Sequence, residues 1–242
     1  ATADINGDRL TDFFVGGSNR LFIADGPLEF HEVIDPVFEW EMFGNEDDVA
    51  GAAFGDLNLD GLPDLVVGHH FNSTVDFGER VPVRIYINSG VDLDGDPMFH
   101  DVTDISGMIG LPTKAPYVEI ADIDNDGWPD ILTTASSHDG TRPAVFRHDG
   151  LIDGIPRFTT PPGLGNPQYW VAGPTADVDR DGLLDVVLVE WEPALPSLLF
   201  RNTSTSGNWL EVSFDLPGRG VGAVVSLYDD GFSGVAGSLV GY

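Results

Sequence analysis

Short apolar runs and alternating segments recur along the chain, and both predict β-strands. Three continuous runs, Leu65–Val67, Ile131–Thr133 and Val186–Val189, have the length of strands that are buried on both faces. The segment Val81–Asn88 is instead an alternating run, Val-Pro-Val-Arg-Ile-Tyr-Ile-Asn, typical of a half-buried strand. No segment has the competing periodicity of an amphipathic helix, so we expect an all-β fold.

The strands come in repeated groups of four. The second group is predicted at Val49–Phe54, Leu65–Gly68, Val81–Asn88 and Phe99–Val102. The third group is predicted at Tyr117–Ala121, Ile131–Thr134, Ala144–His148 and Arg157–Thr160. Four strands in a unit of about 50–60 residues form one blade of a β-propeller. We therefore predict a β-propeller with about four blades, and a β-sandwich carrying four hairpin loops is the alternative.

A nine-residue acidic phrase opens each unit. The phrase occupies residues 4–12, 56–64, 122–130 and 177–185, which we call the first to fourth loops, with positions numbered 1 to 9. Oxygen-bearing side chains stand at positions 1, 3, 5 and 9: Asp4, Asn6, Asp8 and Asp12; Asp56, Asn58, Asp60 and Asp64; Asp122, Asp124, Asp126 and Asp130; Asp177, Asp179, Asp181 and Asp185. Several carboxylates so close together repel one another unless a cation lies among them, and Ca²⁺ takes six to eight oxygen ligands.

The loops therefore predict up to four Ca²⁺ sites, with backbone carbonyls adding to the carboxylates. Position 7 would contribute its carbonyl oxygen in each loop: Leu10, Leu62, Trp128 and Leu183. Glycine at position 6 of the last three loops allows a sharp turn. The first loop has Arg9 at that position, which leaves its ion binding open and implies a non-glycine residue with positive φ.

Two other interpretations compete with calcium hairpins: an EF-hand and an ion-free turn. An EF-hand needs a bidentate Glu at position 12 and flanking helices, but position 12 here is Val15, Val67, Thr133 or Leu188. An ion-free turn rich in Asp, Asn and Gly would not need a carboxylate at position 9. The loops therefore favour calcium-binding connections between strands.

Composition and charge exclude several kinds of partner and of metal site. The 242 residues include 40 acidic and 11 basic side chains, which gives a net charge of −29. That charge argues against nucleic acid or an anionic membrane as the partner, and no apolar run is long enough for membrane insertion. The absence of Cys excludes disulfides and Cys-zinc sites. Fourteen of the 40 acids lie in the loops, and four Ca²⁺ would bring the charge to −21.

Several segments resemble a known family. Phe54-Gly55 before a D-x-N-x-D-G-x-x-D loop is similar to the FG-GAP/VCBS repeats of integrin α-like propellers. The segments 86–90 and 99–107, and the tail 207–225, resemble the cartilage acidic protein (ASPIC/UnbV) group. The resemblance implies a calcium-binding, extracellular or cell-surface propeller over 1–205, with units of about 1–47, 48–112, 113–168 and 169–205. It also implies the start of an ASPIC/UnbV-like module at 206–242.

The chain departs from integrin-like propellers in two ways. Those propellers have seven blades, whereas four loops occur here. Ala1 also lies three residues before the first loop, so we expect no room for the leading strand of the first unit. The chain is then a fragment of a longer protein, or Gly237–Tyr242 or a second subunit fills the open slot, because exposed sheet edges are normally avoided.

Most other residues that could bind a metal ion or a sugar are expected to have structural roles instead. His69 and His70 point to opposite faces of a strand, so we expect them, with His100, to be structural or surface residues rather than metal ligands. Asp92, Asp94 and Asp96 precede Pro97 and are expected to form a solvated turn. The five Trp residues are expected to pack between blades. Asn72 and Asn202 match the N-glycosylation acceptor pattern.

The function expected from the sequence is non-enzymatic. We expect an extracellular calcium-binding β-propeller that serves in protein–protein interaction, adhesion or self-assembly, with Ca²⁺ stabilising its blades. A lectin-like propeller with a glycan partner is one alternative. A propeller domain of a hydrolase or lyase is the other, and it rests on fold analogy alone.

Overall fold

A computed structural model describes residues 1–38, 47–71, 83–108, 117–134, 145–159, 170–190, 192–205, 209, 227–228 and 239–241. Antiparallel sheets account for nearly all of the regular structure in these residues. Their helical content is one 3-10 turn, Pro36–Phe38. None of the helices in the described residues is long and apolar enough to cross a membrane.

The first three sheets each contain four strands in sequential order, joined by antiparallel pairing. The first sheet consists of β1 (Thr2–Ala3), β2 (Asp12–Val15), β3 (Arg20–Gly26) and β4 (Glu29–Val33). The second consists of β5 (Asp47–Gly55), β6 (Asp64–Phe71), β7 (Val83–Val91) and β8 (Pro97–Asp101). The third consists of β9 (Val118–Ala121), β10 (Asp130–Thr133), β11 (Val145–Ile152) and β12 (Ile155–Thr159). The four strands predicted for the second and third units are confirmed.

The leading strand of the fourth sheet is split. It is formed by β13 (Trp170–Ala172) and β14 (Thr175–Ala176), which both pair with β15 (Asp185–Glu190). On the other side of β15 lies β16 (Leu198–Phe200). The Gly173-Pro174 step separates the two pieces, and proline cannot donate to the ladder. The Pro174 carbonyl still accepts the N–H of Val187 at 3.1 Å, so the pairing continues across the step.

The first sheet has a leading strand, which corrects the expectation of an empty slot. Thr2 pairs with Phe13 and Ala3 with Asp12, and the Ala1 carbonyl accepts the N–H of Phe14 at 2.9 Å. A strand of two residues is enough because the edge of β2 to be covered is itself only four residues long. The proposed filling segment pairs elsewhere: β18 (Leu239–Gly241) pairs with β17 (Leu227–Tyr228). The unit boundaries and the module at 206–242 stay predictions.

The hydrophobic core lies between neighbouring sheets. One cluster joins the first and second sheets through residues such as Phe14, Leu21, Leu65 and Tyr86. A second cluster joins the second and third sheets, and a third joins the third and fourth. Consecutive residues of β6 and of β10 therefore face different neighbouring sheets, which explains why these two strands carry continuous apolar runs. The all-β fold with blade-like four-stranded sheets is confirmed.

Close approach between the second and third sheets depends on two glycines of β5, Gly51 and Gly55, and Gly55 belongs to the Phe-Gly pair before the second loop. A Cβ atom on Gly55 would lie 2.9 Å from the Ile120 side chain in the third sheet. Phe54 beside it packs into the cluster between the first and second sheets. The Phe-Gly pair thus lets the second sheet contact a neighbour on each face, and positions the loop that follows.

Candidate metal centres

Each acidic loop connects the leading strand of its sheet to the second strand. Two loop residues have left-handed backbone conformation, at positions 4 and 6. Position 6 has φ between 72° and 92° in all four loops, and Arg9 occupies it in the first, as predicted. The left-handed conformation at position 4 was not predicted from the sequence. The residues at this position are Gly7, Leu59, Asn125 and Arg180, with φ from 55° to 79°. These four residues have no chemical property in common, so the residue type at position 4 does not indicate that its backbone adopts positive φ.

The position-1 aspartate folds the loop around its own carboxylate. In the second loop, Asp56 accepts the N–H of Asp60 at 3.0 Å on Oδ1 and that of Gly61 at 2.9 Å on Oδ2. Asp122 and Asp177 make the same two bonds in the third and fourth loops. Burial raises the pKa of Asp56 and Asp122 above the usual range, and these backbone bonds oppose the rise.

The first loop departs from this arrangement at position 1. Asp4 Oδ2 accepts the N–H of Arg9 at 3.0 Å. Asp4 Oδ1 is buried and has no hydrogen-bond partner among the described residues. A buried carboxylate oxygen without a donor is costly, and a cation in the loop would satisfy it.

Positions 3 and 5 orient the middle of each loop. The position-5 carboxylate accepts the N–H of position 7 at 2.7–3.0 Å in all four loops, from Leu10, Leu62, Trp128 and Leu183. At position 3, Asn6 and Asn58 accept the N–H of position 5 at 3.2 and 3.1 Å. These bonds hold side-chain oxygens around one small volume.

The position-9 aspartate is buried and joins three segments of backbone. In the second loop, Asp64 Oδ2 accepts the N–H of Leu57 at 2.8 Å, and Oδ1 accepts the N–H of Asn88 in the third strand at 2.9 Å. The same pair of bonds recurs at Asp12, Asp130 and Asp185. Burial raises the pKa of Asp64 and of Asp130 to about 7, while the backbone bonds oppose the rise.

A side chain from the next sheet ties down each of the first three loops. Asn88 Nδ2 donates to the Ile5 carbonyl at 3.1 Å, and Asn202 Nδ2 donates to the Ile123 carbonyl at 2.6 Å. His148 makes the equivalent bond from Nε2 to the Leu57 carbonyl at 2.9 Å. The acceptor is loop position 2 in every case, so the connection repeats from sheet to sheet.

The same three side chains also accept a hydrogen bond from the backbone two residues later. The donors are Gly90, Gly150 and Ser204, at 2.9–3.0 Å. Because His148 Nδ1 accepts in this way, Nε2 carries the proton and donates. Burial lowers the pKa of His148, which favours the neutral ring, and the ring stacks on Trp128 with centroids 4.8 Å apart. Asn and neutral His are thus interchangeable in this role.

Carboxylates gather closely in two of the loops. Asp122, Asp124 and Asp130 each offer an oxygen within 4.8 Å of the others, and so do Asp177, Asp179 and Asp181. The first and second loops have Asn at position 3, and the part of the chain that the structure describes shows no such carboxylate group there. The chemistry of the donors, oxygen atoms throughout, suits Ca²⁺.

Comparison with known proteins agrees with the loops and the sheets. A family model of FG-GAP-like repeats matches residues 4–67 and 122–188, which make up more than half of the chain. This chain belongs to the FG-GAP-like repeat family. The chain is also similar to integrin alpha-4 of Xenopus laevis, at 32% identity over 113 residues. That match covers 46% of this chain and 10% of the relative, so the chain spans a small part of the relative's length.

An arginine pairs with two carboxylates of the fourth loop. Arg201 Nε lies 2.5 Å from Asp179 Oδ2, and its terminal nitrogen lies 3.0 Å from Asp181 Oδ2. These carboxylates stand at positions 3 and 5, where a metal ion would bind. The guanidinium therefore offsets the same negative charge that Ca²⁺ would offset.

Trp209 packs against the same loop, contrary to the expectation that tryptophans lie between blades. A Cβ on Gly182 would fall 2.0 Å from the Trp209 ring, which shows how closely the ring covers position 6. Trp209 is nevertheless 54% exposed. Trp128 is half-buried and stacks on His148. Trp40, Trp191 and the side chain of Trp170 lie outside the described residues.

The remaining candidates have structural roles among the described residues. Asp92 closes the turn 92–96 by accepting the N–H groups of Asp94 and Asp96. His31 bridges this turn to the first sheet, with Nε2 at 2.8 Å from Asp96 and Nδ1 at 3.0 Å from Asp25; both carboxylates raise its pKa.

The histidines and asparagines singled out from the sequence fall in different settings. His69 is buried, and His100 Nε2 lies 3.0 Å from Ser89 Oγ. The Asn202 amide is engaged with the Ile123 carbonyl, which argues against its use as a glycan acceptor. Asn72 and the side chain of His70 lie outside the described residues.

Proposed function

We propose that this chain is an extracellular calcium-binding β-propeller module that mediates protein–protein interaction, with Ca²⁺ stabilising its blades. The observation that carries the proposal is the close gathering of three carboxylates in the third loop and again in the fourth. The FG-GAP family and the similarity to an integrin α chain support an interaction role at a cell surface.

The residues that would hold calcium are the predicted loop positions. Side-chain oxygens of positions 1, 3, 5 and 9 would bind the ion, with the carbonyl of position 7. Bound Ca²⁺ supplies positive charge that removes the repulsion among the carboxylates. The chain's own contribution is to hold these oxygens in place, through backbone bonds to positions 1, 5 and 9.

Calcium would act on stability through linkage. An ion that binds only the folded state stabilises it by about 1.4 kcal/mol for each tenfold excess of ion over the dissociation constant. Position 9 links its loop to the third strand of the same sheet, and position 2 is tied to the next sheet. Ion binding at a loop is therefore expected to stabilise two neighbouring sheets together.

The experiment is calorimetric titration with Ca²⁺, followed by thermal unfolding with calcium and with chelator. We expect calcium to raise the melting temperature and chelator to lower it reversibly. Asp124→Ala should weaken the third site about tenfold or more, whereas Asp94→Ala, in the exposed turn of similar sequence, should leave calcium binding unchanged. A melting temperature that is indifferent to chelator would refute the proposal.

One observation favours glycan binding as a second candidate. The Trp209 ring is exposed where it lies against Gly182 of the fourth loop, and carbohydrates stack on exposed aromatic rings of this kind. A glycan array with the unmodified chain and with Trp209→Ala tests this role. Binding that persists without the Trp209 ring would contradict it. A hydrolase or lyase is not proposed, because that alternative rests on fold analogy alone.

A further inference from the structure

An asparagine followed by a glycine stands in the middle of the first loop. Asn6 occupies position 3 and Gly7 position 4, and this Asn-Gly pair occurs once in the sequence. The second loop has the same residue type at position 3, Asn58, but Leu59 follows it. The two loops therefore differ in the residue whose backbone nitrogen comes directly after the asparagine.

The side chains of the two asparagines are held alike. Asn6 Nδ2 donates to Asp8 Oδ2 at 3.2 Å, and Asn6 Oδ1 accepts the N–H of Asp8 at 3.2 Å. Asn58 makes the same two bonds with Asp60, at 2.9 and 3.1 Å. Both asparagines are half-buried, and the residue after each has positive φ, 79° in the first loop and 58° in the second. Any restraint that these bonds impose on the asparagine is thus common to both loops.

The residue at position 4 is where the two loops diverge. Gly7 is exposed, and a Cβ atom built on it would meet nothing within 4 Å. Among the described residues, no hydrogen bond engages the Gly7 N–H. Leu59 instead carries a bulky side chain next to the corresponding nitrogen. Since glycine has no Cβ, its nitrogen can approach the preceding side chain closely, whereas leucine obstructs that approach.

We propose that Asn6 is a site of spontaneous deamidation in the folded chain. The Gly7 nitrogen attacks Cγ of Asn6 and forms a cyclic imide; the Cγ–Nδ2 bond breaks, and the amide group takes the Gly7 proton and leaves as ammonia. Water then adds to one of the two ring carbonyls and opens the ring, which restores the Gly7 N–H. In sum, water replaces ammonia, and neither an oxidant nor a cofactor is required.

The two ring openings give different products. Breaking the bond between Cγ and the Gly7 nitrogen leaves an aspartate side chain on an unchanged backbone. Breaking the bond to the main-chain carbonyl leaves isoaspartate, in which the backbone runs through the former side chain and is one carbon longer. The first product gives position 3 a carboxylate, as Asp124 and Asp179 do in the third and fourth loops. The second product displaces Gly7 and the rest of the loop.

The modification goes beyond the proposed function, and its effect on calcium rests on that function. Aspartate at residue 6 adds a negative charge beside Asp4 and Asp8. Because calcium affinity rises with the number of charged ligands, this product is expected to bind calcium more tightly. Without the ion, the added charge increases the repulsion within the loop. Isoaspartate is expected to weaken binding, since its longer backbone moves the other oxygens.

Mass spectrometry of the folded chain, kept in calcium for days at slightly alkaline pH, tests the modification. The peptide that ends at Arg9 should gain the mass that replacement of NH2 by OH adds, and water enriched in heavy oxygen should label it. The peptide that contains Asn58 should stay unchanged over the same interval. Equal conversion of the two asparagines, or conversion only in a sample unfolded in urea, would overturn the inference.

Two variants exchange the residues at position 4. Gly7→Leu gives the first loop the Asn-Leu pair of the second and should stop conversion at Asn6. Leu59→Gly should transfer conversion to Asn58, and glycine tolerates the positive φ of that position. Urea unfolding confirms that each variant is folded. Conversion of Asn6 that continues in Gly7→Leu would contradict attack by an unhindered nitrogen.

The effect on calcium is measured separately by calorimetry. Asn6→Asp reproduces the aspartyl product and should tighten one site about tenfold or more. A protease that cuts before aspartate distinguishes this product from isoaspartate in the aged chain. Conversion at Asn6 with unchanged calcium affinity of Asn6→Asp would support the modification and refute its effect on the loop. A chain that binds no calcium would refute the proposed function, whereas the mass measurement would still decide the modification.

Discussion

Replacing Asn88 by alanine tests whether the ties between sheets hold the structure together. Asn88 is fully buried in β7. Its Nδ2 donates to the carbonyls of Ile5 at 3.1 Å and Pro63 at 3.3 Å, and its Oδ1 accepts the N–H of Gly90 at 3.0 Å. Alanine keeps the backbone bond to Asp64 and removes all of the side-chain bonds. The substitution therefore removes only the side-chain hydrogen bonds by which Asn88 holds the first loop and its own turn.

The expected cost follows from the groups that lose their partner. The Ile5 carbonyl lies in a buried residue, and an unsatisfied buried acceptor costs about 1–3 kcal/mol. The half-buried Gly90 N–H has access to water, and its lost bond adds about 0.5–1.5 kcal/mol. We expect Asn88→Ala to lower the free energy of unfolding by about 2–4 kcal/mol, a large share of the usual 5–15 kcal/mol of a domain.

The assay is urea unfolding in calcium, followed by calcium titration of the variant. His148→Asn is the matched control, because Asn already makes the same two bonds at positions 88 and 202. Its cost should be limited to lost ring packing against Trp128, about 1–2 kcal/mol. His148→Leu, which cannot make either bond, should cost more than His148→Asn. An Asn88→Ala variant within about 0.5 kcal/mol of the unmodified chain would refute the reasoning.

Three further predictions concern the loops and the packing of the sheets. Arg201→Gln should tighten calcium binding at the fourth loop, measured by calorimetry, because it removes a competing cation; weaker binding would contradict this. Burial raises the pKa of Asp64 and Asp130 to about 7, above the unfolded value, so the folded chain binds protons that the unfolded chain releases. Stability in chelator should then fall as the pH rises from about 4 to 7, by up to about 1.4 kcal/mol per pH unit for each group, and a melting temperature higher at pH 7 than at pH 5 would contradict it. Gly55→Val should destabilise by about 1–3 kcal/mol in urea, because its Cβ would lie 2.9 Å from Ile120; a neutral effect would show that the sheets can move apart.

Local patterns explain why much of the fold was predictable. The run Leu65–Val67 is apolar because both faces of β6 are covered, and the sequence shows this directly. The spacing of the loop aspartates predicted which strands the loops connect. The boundaries differ by a few residues, as where β11 extends to Ile152 beyond the predicted His148, because hydrogen bonding continues past the alternating segment.

The contacts between sheets were not predictable, since they join residues far apart in sequence. Asn88 and Ile5 are separated by 83 residues, and the hydrophobic periodicity of a short segment cannot indicate a contact over that distance. A second role of position 9 was missed: besides the ligand role predicted for it, Asp64 accepts backbone N–H groups on both oxygens and so joins its loop to the third strand. One signal was present in retrospect, the short phrases Asn88-Ser89-Gly90 and His148-Asp149-Gly150 at matching places in two units.

The direction of the ties has a consequence for biosynthesis. Each loop is made before the residue that ties it, and the separations are 83, 91 and 79 residues. At about 5–20 residues per second, a newly made loop waits roughly 4–18 seconds for its donor. During that interval the carbonyl at position 2 stays open to water, and the blade is held only by its own strands. The first three blades are thus completed in order from the N-terminal side, each by the blade that follows it.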